Sequence, residues 1–193
     1  MYVALEGIDT AGKSTQIARL GECFPDALIT KEPGGTPLGS RIRDMVLHSP
    51  IESSATELLL FLADRSEHIA SVVKPNLSKM IISDRSVISG LAYAMVKEEF
   101  TDERLVALNR FATQDILPER VVILQLTCEE LAFRLSQKEH DVIESRGTEY
   151  LLAIQSALIE AAKLLEIPCH IIDAGLPVDE ITAKITNIIK GDA

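Results

Sequence analysis

Residues 2–15 read YVALEGIDTAGKST, in which a short apolar segment leads directly into the pattern G-x-x-x-x-G-K-S at 7–14. The apolar segment has the composition of a buried strand, and the residues after Lys13 have the apolar spacing of a helix. A strand that turns through glycines into a helix leaves several backbone N–H groups directed at one point, where the helix dipole adds positive potential. This stretch therefore predicts a phosphate-binding loop between a strand and a helix.

The side chains of this loop indicate a nucleotide and a metal ion. Lys13 can reach the outer phosphates of a nucleoside triphosphate, and the Ser14 hydroxyl can bind Mg²⁺. A glycine-rich turn that binds no ligand is the alternative interpretation. We expect the nucleotide to contact the whole loop, which consists of Gly7, Ile8, Asp9, Thr10, Ala11, Gly12, Lys13, Ser14 and Thr15.

The composition narrows the class of protein. The chain has 193 residues, of which 47% are hydrophobic and 25% are charged, and we expect one domain over 1–193. It has no apolar stretch as long as a membrane span and no signal-peptide pattern, so we expect a cytoplasmic protein without a membrane contact. A net charge of −10 argues against a nucleic-acid partner. The three cysteines are widely separated, and we expect reduced core residues.

Strand-like segments alternate with helical patterns along the chain. This alternation is typical of an α/β fold and predicts a five-stranded parallel sheet flanked by helices. The expected strands are 2–5, 27–30, 80–83, 121–126 and 170–172. The expected helices are 13–24, 37–48, 54–73, 86–98, 102–115, 128–138, 148–166 and 178–190, with capping boxes at Ser54–Glu57 and Thr127–Glu130. In such sheets, ligands bind at the carboxyl ends of the strands.

Charged residues follow the second and third predicted strands. Behind the Glu-Pro-Gly-Gly segment at 32–35, the next helical pattern carries Arg41 and Arg43, which can bind a second anion. The segment is equally compatible with a simple turn. After the third strand, Asp84 is placed to support Mg²⁺ and Arg85 to bind a phosphate with its forked guanidinium. The alternative for this pair is a strand-end ion pair.

An aromatic and a basic residue share one face of the predicted helix 54–73. Phe61 and Arg65 are four residues apart, which places them one above the other on the helix surface. A ring and a forked donor together can hold a flat heterocycle by stacking and by hydrogen bonds to its oxygens. The alternative is that Phe61 belongs to the core and that Arg65 forms a solvated pair with Asp64.

In this order, the motifs resemble those of the thymidylate kinases, which are nucleoside monophosphate kinases that phosphorylate dTMP. The resemblance rests on L-E-G-x-D-x-x-G-K-S-T at 5–15, E-P-G-G-T-x-L-G at 32–39, F-x-x-x-R at 61–65 and D-R-x-x-x-S-x-x-A-Y at 84–93. The first motif is shared by many families, but the combination is far more specific. The resemblance implies a P-loop kinase fold with a short helical lid, and a homodimer. It also implies that the protein uses ATP and Mg²⁺ and transfers the γ-phosphoryl group to dTMP, which gives dTDP for dTTP synthesis.

The resemblance also implies roles for residues around the acceptor sugar and phosphate. Arg43 and Arg85 correspond to residues that bind the acceptor monophosphate. Asp9 corresponds to a carboxylate near the sugar 3′-hydroxyl and Mg²⁺, and Tyr93 to an aromatic residue that crowds the 2′ position and favours deoxyribose. These four residues therefore define the expected acceptor side of the site.

The same motifs imply how the base is bound. Phe61 corresponds to the residue that stacks on thymine, and Arg65 to the residue that donates a hydrogen bond to a thymine oxygen. Neither the composition nor the spacing of the residues could have named thymine. The motifs also assign Glu32, Pro33 and Ser89 to the substrate site, and Ser14 and Asp84 to the metal site.

The chain departs from the family pattern at three positions. Ser86 replaces the usual aromatic or His residue, so acceptor contacts from that position are not expected. Members of the family carry a mobile arginine over the transferring phosphoryl group, either in the phosphate loop or in a lid after the fourth strand. Because residue 10 of this loop is Thr, the resemblance implies a lid cation, at about 134–147. Val142 stands where the family usually has arginine there, so the catalytic lid cation must be another residue. Arg134 and Lys138 are the preferred candidates, and Arg146 is a third.

Other functions fit parts of the pattern. The same fold and loop also serve kinases of other monophosphates and of deoxynucleosides. A nucleotide-dependent switch fits less well, because a guanine-specific switch is expected to carry Asn-Lys-x-Asp, and Asp-x-x-Gly after the metal-binding strand. The first motif is missing from the chain, and the third predicted strand is followed by Asp-Arg-Ser-Val.

Overall fold

The structure is a computed structural model that describes residues 1–137 and 147–191. Its strands are β1 (Tyr2–Gly7), β2 (Leu28–Lys31), β3 (Ile81–Asp84), β4 (Arg120–Gln125) and β5 (Cys169–Asp173). All neighbouring strands pair in parallel, in the order β2-β3-β1-β4-β5. The predicted five-stranded parallel sheet is therefore confirmed.

Helices cover the sheet in the described part of the chain. They are α1 (Lys13–Cys23), α2 (Pro37–His48), α3 (Ser54–His68), α4 (Val87–Val96), α5 (Asp102–Thr113), α6 (Cys128–Leu135), α7 (Thr148–Leu164) and α8 (Val178–Lys190). A π turn at Ile69–Val73 and a 3₁₀ turn at Lys74–Asn76 continue α3. None of the helices within 1–137 and 147–191 combines the length and the apolar character that a membrane crossing requires.

Successive residues of the central strands β1, β3 and β4 point to opposite sides, and these strands are buried on both faces. Val3 and Leu5 of β1 pack with Leu124 of β4 on one face, whereas Ala4 packs with Ile123 on the other. Around this sheet, α1 contacts α8, and α4 contacts α7. Double-sided burial explains why the central strands are nearly continuous apolar runs in the sequence.

Side-chain caps begin five of the described helices, α2 to α6, and two of them test the predicted capping boxes. Thr127 accepts a bond from the Glu130 N–H at 3.2 Å, and the Glu130 carboxylate accepts one from the Thr127 N–H at 3.0 Å, which confirms the predicted capping box. The capping box predicted at Ser54 is wrong, because Ser53 caps α3 by accepting a backbone N–H bond at 3.3 Å. The Ser54 hydroxyl instead donates to Glu99 at 2.6 Å.

Two further expectations are corrected. The helix predicted over 54–73 is α-helical only as far as His68, where the π turn begins. The cysteines are free, as expected, but Cys23 and Cys128 are exposed and Cys169 is half-buried. Cys23 and Cys128 are therefore not core residues, whereas Cys169 packs at the edge of a buried cluster.

The strand order brings together the starts of three loops, at the carboxyl ends of the strands. β1 lies at the centre of the sheet between β3 and β4, where the strand order reverses, and such switch points are where α/β proteins bind ligands. Asp84 is paired in register with Leu5 of β1 and with Lys31 of β2. The phosphate loop, the segment 32–35 and Arg85 therefore all emerge at one edge of the sheet.

Candidate active site

The phosphate loop joins β1 directly to α1. Gly12 caps α1 in a left-handed conformation with φ of 93°, which a residue with a side chain rarely adopts. The Lys13 side chain is buried and folds back across the loop, where its Nζ donates to the Ile8 carbonyl at 2.9 Å and lies 3.9 Å from Asp9 Oδ1. The loop therefore holds an ammonium group at the point where the backbone N–H groups of a helix start converge.

The Lys13 ammonium is poorly solvated in this position. Burial lowers its pKa from 10.5 to about 7, and the positive charge of Arg85 acts in the same direction, while Asp9 and Asp84 act against it. A phosphate group placed beside Lys13 supplies negative charge and favours its protonated form. The loop is thus arranged to gain a full positive charge when an anion binds.

Asp84 and Ser14 can hold a metal ion. Asp84 Oδ1 is buried and has no hydrogen-bond partner within the described residues, which is costly for a carboxylate oxygen unless a cation binds it. Asp84 also lines an open cavity of about 300 Å³, which leaves room for the waters that Mg²⁺ retains. The Ser14 side chain is exposed at the start of α1. These donors fit a Mg²⁺ ion.

Arg85 connects the end of β3 to the phosphate loop. Its Nη2 pairs with Asp9 Oδ1 at 2.6 Å, and its Nη1 donates to the Gly7 carbonyl at 3.0 Å and to Ser89 Oγ at 3.1 Å. The residue adopts a left-handed φ of 67°, a strained conformation that persists only where the surroundings impose it. The guanidinium is therefore fixed beside the loop that holds Lys13.

The buried carboxylate of Glu6 holds the serine side chain that contacts Arg85. Glu6 accepts a hydrogen bond from the Ser86 hydroxyl at 2.7 Å and from the Ser89 hydroxyl at 2.5 Å, and its side chain is fully buried. Burial raises the pKa of Glu6, and the bonds to the hydroxyls and the charge of Arg85 act against that rise. Ser86, the departure from the family pattern, thus points inward, and it also caps α4.

The segment 32–35 lies against Asp84 and is held by α3. The Glu32 N–H donates to the Asp84 carbonyl at 3.0 Å, which continues the pairing of β2 and β3 into the loop. The Asp64 carboxylate on α3 accepts a bond from the Gly34 N–H at 2.9 Å. Arg43 on α2 is exposed, and its Nη1 donates to the Pro33 carbonyl at 3.1 Å. Arg43 is thereby brought to the same sheet edge as Arg85.

Glu32 lies at the centre of a buried polar cluster. One carboxylate oxygen accepts from Arg65 Nε at 3.0 Å and the other from His68 Nδ1 at 2.8 Å. His68 Nε2 lies 2.7 Å from the Thr30 hydroxyl, and Arg65 Nη1 donates to Asn109 Oδ1 at 2.9 Å. Arg65 is therefore a buried member of a network, and the solvated pair with Asp64 is the wrong alternative.

The aromatic residues of the motifs lie on two different helices, α3 and α4. On α3, Leu58 and Leu62 belong to the core, whereas Phe61, one turn before Arg65, keeps part of its ring exposed. On α4, the Tyr93 ring lies 6.0 Å from the Arg85 guanidinium carbon. Burial raises the pKa of Tyr93 to about 12, so its hydroxyl stays protonated at neutral pH.

The lid candidates are only partly described. Arg134 near the end of α6 directs Nη1 to the Thr10 carbonyl at 2.9 Å and Nη2 to the Ala174 carbonyl at 2.6 Å. It thus joins the phosphate loop to the loop between β5 and α8. Lys138, Val142 and Arg146 lie outside the described residues.

Sequence reasoning missed several residues of this site. Glu6 could have been noticed, because a carboxylate inside an apolar strand must find donors when the strand is buried. Asp64, His68 and Asn109 gave no comparable signal, since polar residues on an amphipathic helix are ordinarily solvated. Their roles become visible only when α3 and α5 pack beside the loop after β2.

Comparisons with known proteins agree with this geometry. A family model described as Thymidylate kinase matches residues 5–185. Thymidylate kinase from Sulfurimonas denitrificans is 61% identical over 190 residues, which cover 98% of this chain and 100% of that protein. The enzyme from Wolinella succinogenes is 53% identical over 193 residues, which cover 99% of this chain and 100% of that enzyme. That from Campylobacter jejuni is 45% identical over 192 residues, with 98% of each covered. The chain belongs to the thymidylate kinase family.

Proposed function

We propose that the site described above transfers the γ-phosphoryl group of ATP to dTMP and gives dTDP. Phosphorylation of dTMP with ATP is the activity of the family to which the chain belongs. The observation that carries the assignment of residues is the ion pair of Arg85 with Asp9, because it joins the strand end on the acceptor side to the phosphate loop. Donor and acceptor groups are then held at one edge of the sheet.

On the donor side, we assign ATP to the loop residues 7–15. Lys13 and the backbone N–H groups bind the outer phosphates, and Ser14 and Asp84 hold Mg²⁺. The metal ion, when bound, neutralises the charge that develops on the phosphoryl oxygens. The support for these roles is the buried Lys13 ammonium and the unpaired Asp84 oxygen.

On the acceptor side, we assign the monophosphate to Arg43 and Arg85. Phosphoryl transfer needs little covalent help, so the main task of these residues is to hold the attacking oxygen in line with the γ-phosphate. Asp9 lies between Lys13 and Arg85, and we place it near the sugar 3′-hydroxyl. Ser89 binds Arg85 and keeps the guanidinium in register with the loop.

For the base and sugar, we assign Phe61 to stacking on thymine and Arg65 to a hydrogen bond with a thymine oxygen. Tyr93 sits beside Arg85, where it can exclude a 2′-hydroxyl. Glu32 and Pro33 contribute by shaping the loop: Glu32 holds Arg65, and the Pro33 carbonyl holds Arg43. Base recognition and phosphate recognition thus meet in the segment 32–35.

We assign exclusion of water from the transferring phosphoryl group to the lid at about 134–147. Arg134 uses two of its five N–H donors on the carbonyls of Thr10 and Ala174, and we assign its remaining N–H groups to the γ-phosphate. Lys138 and Arg146 remain the other candidates for the lid cation. Single alanine substitutions at the three positions identify the cation as the one whose loss lowers kcat.

A coupled assay of ATP consumption across the common nucleoside monophosphates and deoxynucleosides tests the function. We expect dTMP to give the highest kcat/KM, with dUMP next, because a missing methyl group lowers kcat/KM by only about 10- to 200-fold. A higher kcat/KM for a purine monophosphate, or ATP hydrolysis that no small acceptor stimulates, contradicts the proposal. The latter result points instead to a nucleotide-dependent switch.

The affinity for ATP is expected to fall as the pH rises above 7. Protonated Lys13 is the form that binds phosphate, and with a pKa of about 7 this form is lost in the free protein as the pH rises through that value. The Kd for ATP should therefore increase by up to about tenfold per pH unit between pH 7.5 and 9, the limit for coupling to one proton.

Calorimetric titration at several pH values, in two buffers of different ionisation enthalpy, measures both the Kd and the proton uptake. Lys13→Met is the control, because it removes the titrating group and should leave a weaker affinity that does not change over this window. A pH-independent Kd in the parent protein, without proton uptake, rules out this role of the Lys13 charge.

The remaining proposals concern assembly and location. Large apolar side chains are exposed on two neighbouring helices, with Leu59 of α3 61% exposed and Phe111 of α5 84% exposed. We propose that this face forms a homodimer, and analytical ultracentrifugation tests it by the sedimenting mass. We also propose a cytoplasmic location, where ATP is available, which cell fractionation tests.

A further inference from the structure

Asn109 on α5 contacts Arg65, although it belongs to none of the motifs. Its side chain is fully buried, with 0% exposure. Its Nδ2 donates to the Leu105 carbonyl one turn earlier at 2.8 Å, and its Oδ1 accepts from Arg65 Nη1 at 2.9 Å. Because the NH₂ group is directed at Leu105, the amide presents its acceptor oxygen to the guanidinium.

Glu32 holds the same guanidinium on another nitrogen. Its carboxylate accepts from Arg65 Nε at 3.0 Å, and Arg65 is only 3% exposed. Two of the three guanidinium nitrogens are therefore bound to buried acceptors, one after β2 and one on α5. A planar group held at two nitrogens has its plane fixed, and the directions of its other N–H bonds are fixed with it.

A glycine on α4 provides the space for this plane. A Cβ atom built on Gly90 would clash with Arg65 Nη2 and would lie 3.0 Å from Nη1 and 3.1 Å from the guanidinium carbon. The guanidinium thus packs against the α4 backbone next to Ser89, in a volume that the smallest side chain would occupy. Gly90 and Asn109 limit the position of Arg65 from two different helices.

We propose that Asn109 and Gly90 are positioning residues of the base site, which set the direction in which Arg65 presents its remaining N–H groups to the acceptor base. The inference rests on the proposed function, in which Arg65 binds a thymine oxygen. A fixed donor bonds to a base that offers a carbonyl oxygen and faces the amino group of cytosine donor to donor, whereas a mobile donor can turn away from that amino group and loses the discrimination. Asn109 and Gly90 therefore act on selectivity between thymine and cytosine without touching the base.

Kinetics of Asn109→Leu with dTMP and dCMP test the role of the amide. We expect KM for dTMP to rise by about 10- to 100-fold, the size of effect that a small misplacement of a binding group produces. The ratio of kcat/KM for dTMP to that for dCMP should fall, while KM for ATP stays unchanged. Asn109→Asp keeps an acceptor oxygen at the same place and should restore most of the ratio.

Gly90→Ala tests the same role without removing a buried hydrogen-bonding group. We expect the same rise in KM for dTMP and the same loss of selectivity, because the added methyl group displaces the guanidinium. Gly21→Ala on α1 is the matched control, since its Cβ meets a neighbouring side chain only at 3.8 Å. Thermal unfolding shows whether each variant folds. If the variant at one of the two positions does not fold, the kinetics of the variant at the other position test the proposal.

Arg65→Ala separates the two levels of the proposal. If this variant keeps the parent's preference for dTMP over dCMP, the proposed role of Arg65 at the base is wrong. If Arg65→Ala loses that preference but the folded Asn109→Leu and Gly90→Ala variants keep it, the positioning role is overturned and the base site stands. Loss of the preference in all three variants, with rescue by Asn109→Asp, supports the inference.

Discussion

Arg85→Ala is expected to lower kcat/KM for dTMP by about 10²- to 10³-fold, the usual effect of removing one donor that stabilises charge in the transition state. The reason is the position of the guanidinium, which is fixed by Asp9 at 2.6 Å and by the Gly7 carbonyl at 3.0 Å. An alanine leaves the acceptor phosphate without this donor and leaves Asp9 with only the more distant Lys13 ammonium, at 3.9 Å. KM for ATP should change much less, because Lys13 and the loop backbone remain.

Steady-state kinetics with each substrate varied in turn measure this effect. Arg104→Ala is the matched control, since Arg104 is an exposed arginine on α5 and its loss should not affect either substrate. If the acceptor kinetics of Arg85→Ala equal those of the parent, Arg85 does not bind the acceptor phosphate. A loss that appears mainly in KM for ATP would move Arg85 to the donor side.

Glu32→Gln is expected to lower the free energy of unfolding at pH 7 by about 3–5 kcal/mol, the cost of breaking a buried ion pair by removing one partner. Glu32 is 4% exposed and Arg65 is 3% exposed, so the Arg65 charge is left without its counter-ion in a largely buried position. His68 also loses the charge of its hydrogen-bond acceptor. The amide has the size of the carboxylate, which excludes a cavity as the cause.

The pH dependence of this difference identifies its origin. Burial raises the pKa of Glu32, but the charge of Arg65 and the hydrogen bond from His68 outweigh it and hold the pKa below its usual value of 4.5. The contribution of the ionised carboxylate is therefore fully present above the unfolded pKa and is lost as the pH falls through the folded pKa. The parent and Glu32→Gln should differ most near neutral pH and converge in acid.

Urea unfolding at pH 7 and at several acidic pH values measures both quantities. Glu22→Gln is the control, because Glu22 is exposed on α1 and its loss should change the free energy of unfolding by less than about 0.5 kcal/mol. A difference at pH 7 of that small size for Glu32→Gln would mean that the Glu32–Arg65 pair is not needed for stability.

The features that could be predicted from the sequence are local ones. The phosphate loop and the capping box at Thr127–Glu130 depend on residues within a few positions of each other, so backbone geometry alone relates the pattern to the structure. The strands could be found for a related reason, since burial on both faces requires continuous apolar runs. Even local patterns fail by one position, as the cap at Ser53 instead of Ser54 shows.

The partners of the charged residues could not be predicted. Ser86 and Ser89 lie 80 and 83 residues from Glu6, and Asn109 lies 44 residues from Arg65. No periodicity relates such pairs, because strand order and helix packing decide which side chains meet. The same applies to Arg134, whose motif position suggested a lid cation and whose guanidinium lies between two backbone carbonyls.

The sequence by itself determined that the protein has a parallel α/β fold with a phosphate loop, and its combined motifs identified the family. Backbone geometry and motif chemistry are properties of short segments, which explains why they can be read without coordinates. Only the tertiary structure decided that burial brings the pKa of Lys13 to about 7, that Glu6 receives two serine hydroxyls, and that Arg65 is held by Glu32 and Asn109. Solvation and partner choice depend on what the rest of the chain packs around a group, and that is settled only when the sheet and its helices assemble.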